Sequence, residues 1–83
     1  WAYEQNNQVV RHGWNTAIGL AADLQMAAAL PVARYVEYLT PCAYLEDLTT
    51  QPFTLDGEGY LQIPQTPGLG VTLDHEKLKR YRV

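Results

Sequence analysis

The segment Val9-Val10-Arg11-His12-Gly13-Trp14-Asn15-Thr16 delivers a histidine to a sharp turn, between a short apolar run and a long apolar helix pattern. In βα folds chemistry is placed at the carboxyl ends of strands, where neighbouring strand ends and loops converge. A histidine at that point can act as a base near neutral pH. Further along, Glu37 lies in the aromatic-rich run Tyr35-Val36-Glu37-Tyr38-Leu39. An unpaired carboxylate is costly to bury, so Glu37 either turns into a site or sits at an exposed strand end beside a cation such as Arg34. Trp14 either lines a substrate pocket or fills a gap beside the βα loop. The rest of the chain lacks the other groups such a site needs. His12 and Glu37 therefore read as part of an active site, not a whole one.

Other chemistries find little support. The chain contains no serine, which removes serine-hydrolase chemistry. Cys42 is the single cysteine, so no disulfide framework is possible and no zinc partner accompanies it. His75, in a charged helix pattern, reads as solvated. Asp56 and Glu58 are hairpin-loop charges, far from the spacing of a calcium loop. Gly68 and Gly70 are turn glycines without the strand-to-helix context of a phosphate cradle.

Behind these residues lies a simple order of elements. Residues 1–6 read as the end of a helix closed by Asn6-Asn7, which tolerate left-handed geometry. Gln8 to Arg11 form a predicted strand carried by Val9 and Val10. After Gly13, Asn15 or Thr16 can cap a helix that runs to about Leu30, where Pro31 stops it. That helix is apolar nearly all round, with Ile18, Leu20, Leu24, Met26 and Leu30, and such a helix is buried on more than one side. Residues 35–39 form a second strand. Strand, buried helix, strand at this spacing is a βαβ unit, which implies a parallel sheet and a right-handed crossover. The style changes after Pro41. Residues 52–64 suggest an antiparallel hairpin, followed by a Pro/Gly segment, a brief Val71-Thr72-Leu73 strand and a closing helix capped by Asp74.

An 83-residue chain makes one small domain with a marginal core, and offers little to cover the apolar helix. A net charge of −3 argues against a nucleic-acid surface. The basic stretch from Lys77 to Arg82 suits the last turn of a helix, where positive charge complements the dipole. No apolar run is long enough to span a bilayer, since Asp23 and Gln25 interrupt the longest. The expected setting is soluble and cytoplasmic, with no membrane partner, and the absence of an initiator methionine hints at truncation at the front.

Three motifs in order, His12-Gly13-Trp14-Asn15-Thr16-Ala17-Ile18, Tyr35-Val36-Glu37-Tyr38 and Pro67-Gly68-Leu69-Gly70-Val71, resemble the C-terminal part of a mandelate racemase/muconate lactonizing enzyme-like protein of the enolase superfamily. The similarity is to the mandelate racemase-like and acid-sugar dehydratase branch and covers essentially the whole chain. It implies an α/β fold: the C-terminal fragment of a modified (β/α) TIM-type barrel plus a segment that packs on an α+β capping domain. By that resemblance residues 1–44 hold the last strand–helix–strand unit, with residues 8–39 supplying the seventh strand, its helix and the eighth strand. Residues 45–83 return to the capping domain.

The resemblance also implies a chemistry. The family removes the proton alpha to a carboxylate and holds the enediolate on a divalent metal, usually Mg2+. His12 falls where the branch places its base, and Glu37 where an acidic residue meets the substrate carboxylate. Trp14 is a candidate substrate-binding residue. The carboxylate that fixes the histidine tautomer, the metal ligands and the lysine motif of the second strand would all lie upstream of Trp1, so this chain contributes no metal ligand. The implied partners are the remainder of the same polypeptide, a small carboxylate or acid-sugar substrate, and further copies in a homo-oligomer. One departure stands out, because many relatives carry proline where this chain has Arg11. Its guanidinium would disfavour a protonated base if it pointed into the site, and would not if it pointed away along the alternating strand.

Two functions are thus expected to compete. One is the C-terminal portion of a racemase or dehydratase, inactive in isolation. The other is a small non-catalytic interaction module that uses its apolar helix to associate. The surroundings of His12 separate them.

Overall fold

A computed structural model describes all residues, Trp1–Val83. Its central element is α1, Ala17–Ala29, in a stretch rich in alanine and leucine, the strongest helix formers. Thr16 is extended at the N-cap, and its carbonyl accepts the Leu20 N–H at 3.0 Å, although its hydroxyl makes no capping bond. Leu30 returns to extended geometry, as a residue before proline is biased to do. Ala17, Leu20, Ala21 and Leu24 form the buried face of α1, and pack with Leu45, Leu48 and Phe53. Ile18, Ala22, Met26 and Ala29 form an exposed apolar stripe on the other side. The predicted all-round apolar helix is therefore present, with only one face covered by this chain.

The strands flanking α1 are shorter than predicted. Arg11 and Val36 form a single parallel bridge, supported by a hydrogen bond from the Val9 N–H to the Val32 carbonyl at 3.1 Å. The parallel sense agrees with the βαβ expectation. A two-stranded parallel pair has no neighbours to extend its ladder, and so it stops at one bridge. Residues 1–6 form a hydrogen-bonded turn and not a regular helix end, yet Asn6 adopts the expected left-handed φ of 54°.

The second half wraps around the buried face of α1. A short helix absent from the sequence expectation, α2 (Ala43–Glu46), brings Leu45 into the core. Glu46 folds back on it, accepting from the Thr40 hydroxyl at 2.6 Å and the Cys42 N–H at 3.3 Å. The predicted hairpin is present as an antiparallel bridge between Leu55 and Leu61. Asp56 organises its turn by accepting the Glu58 and Tyr60 N–H groups, both at 2.9 Å. Two polar contacts tie this half to the first: Tyr38 donates to the Phe53 carbonyl at 3.0 Å, and Gln25 to the Pro64 carbonyl at 2.9 Å.

Leu73 pairs antiparallel with Thr49, and the chain ends in α3 (His75–Leu78), continued by a 3-10 turn. Asp74 caps α3 as predicted, with Oδ1 accepting the Glu76 and Lys77 N–H groups at 3.1 Å each. Lys77 and Arg80 reach across to Asp47, at 3.6 and 3.0 Å. No helix is long and apolar enough to cross a membrane.

Two outcomes test this packing. A Cβ on Gly19 would stand 2.3 Å from the Asn15 Cβ and 2.8 Å from its Cγ. Alanine normally gains about 1 kcal/mol over glycine inside a helix, but overpacking costs about 1–3 kcal/mol. Gly19→Ala is expected to lower stability in denaturant unfolding; a gain would show that Asn15 can turn aside freely. The second outcome concerns acid. The Lys77 N–H bond, then the Glu76 N–H bond and the nearby cations, hold the Asp74 carboxyl below its ordinary value of 3.8, against an opposing effect of burial. A depressed folded pKa means stabilisation that is complete above the ordinary carboxylate range and lost as pH falls through the lowered value. Asp74→Asn should remove that component of the acid unfolding limb, and an unchanged limb would place its origin elsewhere.

Candidate active site

The parallel bridge between Arg11 and Val36 sets His12 beside Glu37, because neighbouring residues in paired parallel strands advance together. The two side chains meet: His12 Nδ1 lies 2.6 Å from Glu37 Oε2. Alternation along an extended chain sends successive side chains to opposite faces. Val36 packs against the hydrophobic core, on the side of α1, and Glu37 takes the other side. The His12 side chain is 77% exposed and that of Glu37 44%, so the pair stands on an open surface. Arg34, the cation weighed as a partner for Glu37, is not the one it meets.

Arg11 follows the same alternation. Its guanidinium turns away from His12, and Nε meets Asp23 Oδ1 at 3.1 Å. Asp23 is the only charged residue of α1 and its side chain is only 12% exposed, a burial that requires a charged partner. Of the two orientations open to Arg11, the structure holds the one that points away from His12.

Trp14 occupies the loop between the first strand segment and α1, and is largely exposed. Its indole N–H donates to the hydroxyl of Tyr44 on α2, so the loop after the first strand is tied to the helix after the second. The Cys42 side chain acts on the same hydroxyl as a hydrogen-bonding neighbour. That interaction leads the effects that raise the Tyr44 pKa above 10.0, with partial burial, while the Trp14 bond opposes them. Sequence reasoning named His12, Glu37 and Trp14 as candidates and did not name Tyr44 or Asp23, which the structure places against Trp14 and Arg11. Tyr44 carried no signal, since α2 spans four residues; Asp23, a lone charge in an apolar helix, did carry one.

The arrangement is a histidine with one ring nitrogen against a carboxylate and the other free. If Nδ1 carries the proton, it donates to Glu37, and Nε2 is left as an acceptor. That is the form in which an imidazole takes a proton from a substrate. Nowhere do three His, Cys, Asp or Glu side chains converge. A magnesium ion needs near-octahedral oxygen coordination, so these residues alone do not fit one.

The pattern of the enolase C-terminal domain-like family matches residues 1–77. A D-xylonate dehydratase of Haloferax volcanii is 34% identical over 76 residues, a match covering 90% of this chain and 18% of that enzyme. A chloromuconate cycloisomerase of Cupriavidus pinatubonensis is 37% identical over 67 residues, covering 80% of this chain and 18% of its own. A muconate cycloisomerase of Acinetobacter lwoffii is 33% identical over 67 residues, with 80% and 17% covered. The chain thus spans less than a fifth of the length of these curated relatives.

The opposed bonds at Tyr44 generate a test. Cys42→Ala should bring the Tyr44 pKa down toward its ordinary value, whereas Trp14→Phe should push it further up. Residue-resolved NMR titration of the Tyr44 ring reads both, and shifts of the same sign would contradict the arrangement.

Proposed function

This chain belongs to the enolase C-terminal domain-like family, and on that premise we propose that it is the C-terminal portion of an enzyme that abstracts the proton alpha to a carboxylate. The observation that carries the reading is the 2.6 Å contact between His12 and Glu37 on adjacent strand ends. Residues 1–44 then form the last strand–helix–strand unit of a modified (β/α) barrel, and residues 45–83 the segment that returns to the capping domain. The exposed stripe of Ile18, Ala22, Met26 and Ala29 is covered by the remainder of the polypeptide. The parent is an acid-sugar dehydratase or a racemase; the D-xylonate dehydratase name supports the dehydratase, and the cycloisomerase names support only the wider family chemistry.

In this mechanism His12 Nε2 removes the α-proton, or returns one, and the ring becomes an imidazolium during the transfer. The ionised Glu37 carboxylate holds the ring through Nδ1 and stabilises the positive charge as it forms. The role that the resemblance implies for Glu37, electrophilic partner at the substrate carboxylate, would need a proton on Glu37 and is therefore an alternative to holding the ring, not a second role in the same step. Trp14, held by Tyr44, forms one wall of the substrate site. A divalent metal, for which this chain offers no ligand cluster, would have to be held by residues outside it and would there supply charge stabilisation to the substrate carboxylate.

The competing reading, an interaction module, calls for a histidine packed among apolar groups with one local bond. His12 is exposed and meets Glu37 of this same chain, which is not the packing that the module reading calls for; the enzyme reading calls in addition for carboxylates from other polypeptide around it.

In the full-length protein, supplied with acid sugars and magnesium, His12→Asn should lower kcat by about 10²–10⁴-fold, the usual contribution of a general base. It should also abolish α-proton exchange in deuterated water. Wild-type exchange in this variant would sink the assignment. Glu37→Gln should lower kcat with KM little changed. The isolated 83 residues should be inactive, and metal-dependent turnover by them would overturn the view that the site is incomplete.

A further inference from the structure

We propose that Arg11 and Asp23 are positioning residues for His12: the buried carboxylate of α1 holds the Arg11 side chain on the helix side of the strand and so aims the His12 ring at Glu37. The inference rests on the reading of His12 as the base. One ion pair and one close approach carry it. Before His12, Arg11 Nε meets Asp23 Oδ1 at 3.1 Å. After His12, the chain passes over the same carboxylate, since a Cβ on Gly13 would stand 3.1 Å from Asp23 Oδ2. The carboxyl group thus pairs with the residue before His12 and lies close beneath the glycine after it.

The cost of this arrangement argues for a purpose. Asp23 is the only charge on a helix whose other residues are apolar apart from Gln25, and the site is nearly closed to water. An apolar residue there would pack without the desolvation penalty that a buried carboxylate carries. Arg11 remains 44% exposed, so the pair is no sealed interior bridge. What the pair adds is direction. Arg11 is drawn to the helix side of the strand, and alternation then commits His12 to the opposite side, where Glu37 stands. Gly13 lets the chain lie close to Asp23; a side chain there would also meet Asn15 Nδ2 at 2.3 Å.

The test uses the full-length protein with four variants: Arg11→Met, Asp23→Asn, the double variant and Arg11→Lys. The ring ¹⁵N shifts of His12 report its contact with Glu37, and kcat and KM are measured alongside. We expect both single variants to lose the wild-type ring signature and to lower kcat on the order of 10- to 100-fold, the scale of a misplaced group. KM should stay within about threefold. The double variant should be no worse than either single one, because the two residues act as a unit. Arg11→Lys, which keeps a cation within reach of Asp23, should retain the signature and most of kcat. Unchanged ring shifts in Arg11→Met and Asp23→Asn would overturn the proposal, as would losses that Arg11→Lys does not restore. The reading of His12 is judged separately by the activity of His12→Asn, so either idea can fail while the other stands.

Discussion

The parallel pairing of Arg11 with Val36 is the constraint on which the site depends. In extended chains side chains alternate with a period of two, so a slip of one residue would exchange the faces of every group on a strand. In the observed register Val36 and Arg11 turn toward α1, while His12 and Glu37 emerge together on the other side. A slip would set Arg11 against Glu37 or leave the histidine facing the helix. One bridge is a slender means of holding a register. The helix between the strands does the rest, through its packed face and through Asp23.

Around this unit the second half of the chain acts as a cover. Leu45, Leu48 and Phe53 close one face of α1, and Tyr38 and Gln25 supply hydrogen bonds that orient the cover. Apolar burial is non-directional, so those polar contacts decide how the two halves meet. The uncovered face of α1 fits a chain that spans less than a fifth of its relatives' length.

Much of this was legible in the sequence, for identifiable reasons. The limits of α1 followed from Thr16 and Pro31, the left-handed Asn6 from its side-chain type, and the cap of α3 from Asp74, since each rests on local chemistry. His12 and Glu37 were legible as candidates, the family resemblance implied a shared site, and the structure brings the two side chains together. Their direct contact was not legible, because the sequence reading gave the tautomer-fixing duty to a carboxylate outside these residues. The strands came out shorter than expected because their ladders need neighbours that this chain does not supply. Helix α2 escaped notice because four residues hold no periodicity. The direction of Arg11 depended on a partner twelve positions away, and single-strand patterning cannot choose between two faces.

The closure of residues 49–50 against 72–73 has a consequence for the evolution of such chains. Thr49 bridges Leu73, Thr50 donates to the Thr72 carbonyl at 2.9 Å, and the Asp74 N–H meets the Leu48 carbonyl at 2.9 Å. Everything between, including the hairpin at Leu55 and Leu61, leaves and re-enters through one narrow neck. The entropy of closing a loop rises only slowly with its length. Lengthening or trimming the hairpin tip would therefore leave the neck, and the strand ends that carry His12 and Glu37, in place. A chain built this way can change in size at this point while keeping the contact between His12 and Glu37.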